Sequence, residues 1–163
     1  MRVIKKLDEL DRRAEDRLND LRFDLADSFF SAVTGLGSVY LSVFFAAATY
    51  PLAPRLLDAV FLPLGVTWLL AYGLKTAVDR EKPQDAPLAV DITPSFPSGH
   101  ALTASFLAVR VSALIPDIAP VLFVAASVVC LSRVYLGAHY PSDVVAGSAI
   151  GVLSASLPWT TLF

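Results

Sequence analysis

The chain has a single cysteine, Cys130, which lies in an apolar stretch, so no disulfide can form within the chain. Positive charge is not in excess either: the formal net charge is −2, which argues against nucleic acid as a partner. The sequence also lacks an HExxH motif, the Cys/His spacings of zinc sites, internal repeats and low-complexity tracts. We therefore expect a protein without a cofactor, a bound metal or a nucleic-acid partner.

Charge is absent from a long stretch near the N-terminus. The 27 residues from Ser28 to Pro54 contain no Asp, Glu, Lys or Arg. As one helix they would extend about 40 Å, which is long enough to cross a bilayer. The whole chain is 55% hydrophobic with a mean hydropathy of +0.61, and its 163 residues have room for one domain. The sequence therefore predicts an integral membrane protein.

Four further apolar segments follow, so the sequence predicts an all-α membrane bundle of about five transmembrane helices. The second and third of the five segments are the weakest, since Asp58 and Arg110 lie in or beside them, and we expect Arg110 to snorkel toward the interface. A soluble helical bundle is the alternative, but so small a chain has too little polar surface to cover these apolar runs. The four segments are about Ala59 to Leu74, His100 to Ile115, Ile118 to Leu136, and Val144 to the C-terminus.

The segment 1–27 is of a different kind, because its apolar residues recur every three or four positions, as in an amphipathic helix. It carries seven Lys/Arg and eight Asp/Glu, so simple attraction to anionic lipid does not explain it. We expect this helix to pack on the bundle or lie at the interface, with a partner-binding coiled coil as the alternative. Its apolar positions are Ile4, Leu7, Leu10, Ala14, Leu18, Leu21 and Leu25.

Titratable residues of the remaining domain, 28–163, fall mainly in three clusters. Lys75 to Pro83 reads KTAVDREKP, Pro97 to His100 reads PSGH, and Ser132 to Asp143 reads SRVYLGAHYPSD. The third span carries the chain away from the PSGH side and the fourth brings it back, so all three clusters meet at one face of the membrane. A proline-rich loop, residues 75–99, connects the first two clusters, and long loops in small domains are usually functional or disordered. We therefore expect an active-site loop there.

The chemistry of these clusters suits a bound phosphate. Ser98 and Gly99 stand where a helix begins, and the unpaired N–H groups of its first turn point outward toward an anion. Gly99 has no side chain to keep a ligand from the backbone, and Ser98 can cap the helix or donate its hydroxyl to the ligand. The candidate phosphate-binding residues are Lys75, Lys82, Ser98, Gly99 and Arg133, with Arg80 as a further cation nearby.

Two histidines favour catalysis over binding alone. A neutral, well-oriented imidazole can attack phosphorus, and it needs a carboxylate at its other ring nitrogen. Pro141 suits the first turn of a helix, so His139 would precede that helix and Asp143 would lie in its opening turn, close enough to reach back. His100 would then protonate the leaving oxygen and later deprotonate the attacking water. Zinc is the rival ligand for such residues, but the nearby cations would repel it.

The three clusters resemble the signature of the type 2 phosphatidic acid phosphatase superfamily: KxxxxxxRP, then PSGH, then SRxxxxxHxxxD. The second and third motifs match completely. In the first, Lys82 replaces the arginine and loses the planar fork that grips two phosphate oxygens. The resemblance implies that His139 is the nucleophile, that Asp143 orients it and that His100 is the general acid. It also implies a reaction without a metal, in which cations and backbone amides stabilise the transition state.

The sequence therefore predicts a membrane enzyme that hydrolyses a lipid phosphate monoester or diphosphate. Phosphatidate, a phosphatidylglycerophosphate-like lipid and a polyprenyl diphosphate are all candidate substrates, because no motif discriminates among them. Two alternatives use the same site: a lipid phosphotransferase and a non-catalytic lipid-phosphate binding protein. A vanadate-dependent haloperoxidase shares the signature, but those proteins are soluble and larger, so the hydropathy disfavours it.

The side of the membrane follows from counting charges. With five spans, the N-terminus and the active site share a face, and every Lys and Arg except Arg55 and Arg110 lies on it. The positive-inside rule therefore predicts a cytoplasmic active site. The sequence has no cleavable signal-peptide pattern, so we expect the first span to be retained. The sequence leaves the oligomeric state open, with a homo-oligomer as one alternative.

Overall fold

The computed structural model describes residues 2–19, 22–83 and 93–159, and all regular structure in these ranges is helical. The all-α fold predicted from the sequence is confirmed. Residues 84–92 of the predicted active-site loop lie outside the described residues. The helices are α1 (Arg2–Asn19), α2 (Asp24–Thr34), α3 (Val39–Thr49), α4 (Leu62–Val78), α5 (Gly99–Leu114), α6 (Ala119–Tyr135) and α7 (Pro141–Ala155).

The helices account for the predicted apolar segments. Leu57–Val78, which contains α4, and Pro116–Tyr135, which contains α6, are long and apolar enough to cross a bilayer by length and composition. The shorter apolar helices Gly99–Leu114 and Pro141–Ala155 match the third and fifth segments. Many large apolar side chains of α4 and α6 are exposed on the protein surface, which suits contact with lipid rather than with water. The chain is therefore built as an integral membrane protein.

The first apolar segment differs from the continuous helix expected over residues 28–54. A 3₁₀ turn, Gly35–Gly37, separates α2 from α3, and the two helices meet at an angle of 51°. Ser38 caps α3, since its hydroxyl accepts an N–H of the first turn at 3.2 Å. At the bend the chain packs on α5: a Cβ on Gly37 would lie 2.8 Å from the His100 carbonyl oxygen. The prediction of one helix is wrong here, because average hydropathy does not detect a break made of glycine and serine.

Arg110 in α5 bonds to backbone carbonyls near the start of α4 and at the end of α7. Pro63, near the start of α4, has no N–H for the carbonyl four residues earlier, that of Ala59 in a π-helical turn. Arg110 Nε donates to this carbonyl at 2.7 Å, and Nη1 donates to the Ala155 carbonyl at the end of α7 at 3.3 Å. The arginine therefore joins three membrane segments at their shared end.

Helix α5 lies at the centre of the bundle and packs against α6 and α7. Its Leu102 and Phe106 side chains are fully buried. α7 approaches so closely that Gly147 lies against the Ser98 backbone and Gly151 lies against the Leu102 carbonyl. Glycines four residues apart share one face of a helix, and this lets two membrane helices approach each other. The contact fixes the beginning of α5 beside the beginning of α7.

Helix α1 packs against α6 and α7 and ends at Asn19, so it is shorter than the predicted helix 1–27. After α1, Arg22 donates to the Tyr135 carbonyl through Nε and Nη2, at 3.2 and 3.0 Å. The Tyr135 hydroxyl in turn accepts the Phe23 N–H at 3.2 Å. These bonds attach the N-terminal segment to the end of α6.

Candidate active site

The three motif clusters lie at helix ends. Lys75 is in the last turn of α4 and Arg133 is in the last turn of α6. Gly99 begins α5, and Asp143 lies in the first turn of α7. His139 precedes α7, which begins at Pro141 as the sequence predicts. Each motif is therefore found where one helix ends or another begins.

Hydrogen bonds join the clusters into one site. The Lys75 ammonium group, on a residue that is only 4% exposed, donates to the Pro94 carbonyl at 2.6 Å. This holds the chain that leads into PSGH against the end of α4. The Ser98 N–H donates to the Asp143 carbonyl at 3.0 Å, which joins PSGH to the start of α7. The cluster at the end of α4 and the cluster at the start of α7 are thus both bonded to the chain at PSGH or just before it.

His139 is 2% exposed, and its Nδ1 faces two polar side chains. The Ser95 hydroxyl lies 3.4 Å from Nδ1 and donates to Asp143 Oδ2 at 2.5 Å. Asp143 Oδ2 is 3.9 Å from Nδ1, which is too far for a direct hydrogen bond, and it also accepts the Tyr140 N–H at 3.1 Å. The serine therefore lies between the imidazole and the carboxylate. Because Nδ1 faces this pair, Nε2 on the other side of the ring is directed away from it.

The surroundings of His139 favour its neutral form. Burial lowers the pKa of His139 below its ordinary value of 6.5, and the Asp143 carboxylate opposes this shift. The positive charges of Arg133 and Lys75 lower the pKa further. Arg133 is itself buried, and its Nη1 donates to Thr34 Oγ1 at the end of α2 at 2.7 Å. A neutral imidazole beside two cations has a lone pair available for attack on an anion that those cations attract.

Ser98, Gly99 and His100 form the start of α5. Ser98 is fully buried, and its hydroxyl accepts the Ala101 N–H at 3.5 Å. Of the two roles expected for Ser98, helix cap and donor to the ligand, this bond is the cap. Gly99 lies against Trp68, since a Cβ on Gly99 would be 2.6 Å from Cη2 of that ring. His100 is half-buried in the first turn of the helix. PSGH therefore presents a capped helix start at the same end of the bundle as His139.

Arg80 is bonded to carboxylates, in contrast to its expected part as a further phosphate cation. Its Nη1 donates to Asp143 Oδ1 at 2.6 Å. Its Nη2 donates to Asp11 at 2.8 Å and to Asp8 at 2.9 Å, both in α1. The expectation is corrected because acids 72 and 69 residues away in sequence reach Arg80 in the folded chain. Lys82, at the position of the family's arginine, is half-buried.

Two polar residues of the site, Ser95 and Asp11, belong to none of the predicted clusters. Ser95 is fully buried and lies three positions before Ser98, so the signal that the sequence offers for it is its place in the predicted active-site loop, residues 75–99. Asp11 is 4% exposed and accepts from Arg80 and from Ser142. It is one of many acids in a charged helix, and nothing in its local sequence distinguishes it.

The sequence model of the PAP2 superfamily, the type 2 phosphatidic acid phosphatases, matches residues 59–163. This range includes all three motifs. The chain belongs to the PAP2 superfamily. The family resemblance drawn from the motifs is therefore confirmed.

Two relatives of this PAP2 chain carry the names of phosphatases that act on lipid-linked phosphates. It is 32% identical over 105 residues to phosphatidylglycerophosphatase B of Bacillus subtilis, covering 58% of this chain and 52% of that protein. It is 39% identical over 95 residues to decaprenylphosphoryl-5-phosphoribose phosphatase of Mycolicibacterium smegmatis, covering 53% of this chain and 52% of that protein. The chain thus spans about half the length of the curated relatives it matches.

The fold is similar to a solved PAP2 structure over most of both chains. The transmembrane PAP2-type phosphatidylglycerolphosphate phosphatase of Bacillus subtilis superposes with a TM-score of 0.78 at 26% identity. The superposition covers 92% of this chain and 83% of that one. It therefore extends well beyond the range of the family model, toward the N-terminal helices.

Proposed function

We propose that this PAP2 protein is a membrane phosphatase that hydrolyses a lipid phosphate monoester or diphosphate through a phosphohistidine intermediate. The observation that carries the proposal is the buried His139, whose Nδ1 faces Ser95 and Asp143 and whose other nitrogen is left for phosphorus. The names of the relatives support it, because both are phosphatases of lipid-linked phosphates.

The reaction has two steps. First, His139 Nε2 forms a bond to phosphorus while the bond from phosphorus to the leaving oxygen breaks, and His100 donates a proton to that oxygen. Asp143 and Ser95 keep the ring oriented, and the carboxylate stabilises the positive charge that the imidazole acquires. Second, water attacks the phosphohistidine and gives a proton to His100 as the nitrogen–phosphorus bond breaks. Inorganic phosphate leaves, and both histidines regain their starting protonation states.

The phosphate is held by cations and by the first N–H groups of α5, which stabilise the charge on the transferring group. Lys75 and Arg133 suit this role because both are close enough to His139 to lower its pKa. Lys82 keeps a positive charge at the end of the first motif but grips one oxygen at a time rather than two. The proposed phosphate-binding residues are Lys75, Lys82, Ser98, Gly99 and Arg133.

The first test is phosphate release from a panel of lipids by purified protein in detergent with a metal chelator present. Phosphatidate, phosphatidylglycerophosphate and a polyprenyl diphosphate form the panel. We expect at least one to release inorganic phosphate, because the proposed mechanism uses residues of the chain alone. With a labelled lipid phosphate and an added alcohol, label found on the alcohol instead of in free phosphate indicates a phosphotransferase. Binding without turnover of any lipid indicates a non-catalytic binder and contradicts the proposal.

A groove between α3 and α4 supports a lipid substrate. Its volume is about 480 Å³, and apolar side chains including Val43, Phe61 and Leu69 line it. Trp68 forms part of its wall and also contacts the start of α5, where its Nε1 donates to Thr103 at 2.9 Å. The groove therefore leads from the PSGH end into the apolar part of the bundle. We propose that it holds one hydrocarbon tail of the substrate.

Filling the groove should reduce activity on long-chain lipids selectively. Gly65 lines the groove, and a Cβ there would meet nothing within 4 Å, so Gly65→Leu can be accommodated while it displaces the tail. The leucine side chain would take the place of part of the tail and remove its contacts with the groove wall, which raises KM severalfold. We expect this increase for a long-chain lipid and no change for a short-chain analogue.

The matched control for that variant is Gly73→Leu. Gly73 also lies in α4 with open space around it, but it is outside the groove. The same change of helix propensity is therefore made without blocking the tail. Equal KM values for the two variants with the long-chain lipid would contradict the assignment of the groove.

We also propose that the active face is cytoplasmic, from the distribution of Lys and Arg around the predicted spans. Helix α1 carries many of these charges and bonds to the candidate site, so both belong to one face. Substrate would then be drawn from the inner leaflet.

A further inference from the structure

The N-terminal helix α1 reaches the candidate active site through a buried acid, Asp11. Asp11 is 4% exposed, whereas its sequence neighbours Leu10 and Arg12 are exposed. Its Oδ2 pairs with Arg80 Nη2 at 2.8 Å, and its Oδ1 accepts the Ser142 N–H at 3.1 Å. The Ser142 hydroxyl also donates to Oδ2. A buried carboxylate is costly unless a charge and donors satisfy it, and Asp11 has both.

Both partners of Asp11 adjoin the carboxylate that orients the proposed nucleophile. Arg80 Nη1 donates to Asp143 Oδ1 at 2.6 Å and to the Ser142 hydroxyl at 2.7 Å. Asp143 Oδ1 thus accepts from Arg80, and Oδ2 accepts from Ser95. The bond to Arg80 therefore fixes the orientation of the carboxylate. The Ser142 N–H is among the first of α7, which have no acceptor within their own helix. Asp11 therefore caps, from a distant segment, the helix that carries Asp143.

Charge gives Asp11 a second effect on the site. Arg80 lies between two buried acids, Asp11 and Asp143, and shares its positive charge between them. Without the Asp11 carboxylate, the guanidinium would be attracted more strongly to Asp143. That stronger pairing would compete with Ser95 and His139 for the carboxylate. The Asp11 carboxylate therefore leaves Asp143 available to orient the His139 imidazole.

We propose that Asp11 is a positioning residue for the phosphoryl-transfer reaction. Through Asp11, helix α1 contributes to the active site. The proposal rests on the proposed function, since it assigns Asp143 to the orientation of His139. Asp11 lies outside residues 59–163, the range that the family model matches. The family motifs therefore do not describe this contribution.

The test compares Asp11→Asn with Asp8→Asn. Both acids bond to the same nitrogen of Arg80, but the Asp8 side chain is 51% exposed and that of Asp11 is 5% exposed. Asn keeps the size of the side chain and its acceptor for the Ser142 N–H, and it loses the charge. We expect Asp11→Asn to lower kcat about tenfold, since hydrogen bonds to buried charged groups contribute strongly. KM should stay within about twofold, because the phosphate-binding residues are untouched.

A second background tests the route. In Arg80→Met protein, Asp11→Asn should lower kcat by much less than in wild type, since the residue through which it acts is gone. Asp8→Asn should leave kcat and KM within about twofold of wild type, as expected for a solvent-screened pair. Rates are normalised to monodisperse protein from size-exclusion chromatography.

Trypsin supplies a readout that does not depend on catalysis. Arg12 and Arg13 are exposed cleavage sites on α1, and a less firmly docked helix opens to the protease more often. We expect faster cleavage in Asp11→Asn than in Asp8→Asn. Equal kcat values for the two variants, a rise in KM alone, or an undiminished loss in the Arg80→Met background overturns the proposal. Absence of phosphate release by wild type contradicts the proposed function instead, and equal cleavage rates would then still reject the docking role of Asp11.

Discussion

His139→Ala should abolish phosphate release while leaving the protein inserted in the membrane and folded. The substitution removes the proposed nucleophile, and loss of a nucleophile lowers turnover by at least about 10⁴-fold. The backbone contact of this position, from the His139 N–H to the Arg133 carbonyl at 3.1 Å, does not need the side chain. Phosphate release per monodisperse protein, measured with the lipid that wild type hydrolyses best, is the readout. Activity close to wild type in this variant would refute the assigned nucleophile.

His100→Ala is the matched control for that experiment, because it removes the other imidazole and leaves the nucleophile. With an aryl phosphate, whose leaving group needs no proton, the first step should still occur. Since the second step lacks its base, a phosphoenzyme should accumulate in His100→Ala and be absent from His139→Ala. Acid-labile, base-stable label on the protein identifies a phosphohistidine. Label in both variants or in neither contradicts the division of roles.

Much of the fold could be predicted, because lipid imposes a simple rule on the sequence. Hydropathy located helices α4 to α6 and the start of α7 within a few residues, since every backbone group in the bilayer has to be bonded within a helix. It extended the last segment to the C-terminus, whereas α7 ends at Ala155. It missed the break at Gly35–Gly37, where no charged residue interrupts the apolar run. The bend is needed where Gly37 packs on the backbone of α5, and that contact joins parts of the chain far apart in sequence. A local pattern holds no information about it.

The candidate site divides in the same way. The motif spacing predicted that His139 and Asp143 lie close together, because both positions belong to one short segment around the start of α7. It did not predict that Ser95 would lie between them, with the carboxylate 3.9 Å from the imidazole. Two of the three acids that bond to Arg80, Asp8 and Asp11, come from α1, and the count of charges treated that helix as balanced within itself. Contacts between distant segments are therefore what the sequence left out.

Gly147→Ala should disrupt the site at the contact between α7 and the start of α5. A Cβ on Gly147 would overlap the Ser98 carbonyl oxygen and would lie 3.1 Å from its carbon and 3.2 Å from the Ser98 nitrogen. These are backbone atoms, and the same nitrogen donates to the Asp143 carbonyl, so the helix start cannot yield without breaking that bond. Overpacking of this kind costs about 1–3 kcal/mol of stability. Displacing a catalytic group by about 1 Å lowers turnover by about 10²-fold.

Gly73→Ala separates this steric effect from the general effect of replacing glycine in a helix. Gly73 lies in α4, and a Cβ added there would meet nothing within 4 Å, so alanine should only favour the helix, by about 1 kcal/mol. The unfolding temperature in detergent and the rate of phosphate release should therefore both fall in Gly147→Ala. In Gly73→Ala, both should stay at the wild-type value or rise. If Gly147→Ala is as stable and as active as Gly73→Ala, the close approach of α5 and α7 is not what holds PSGH beside Asp143.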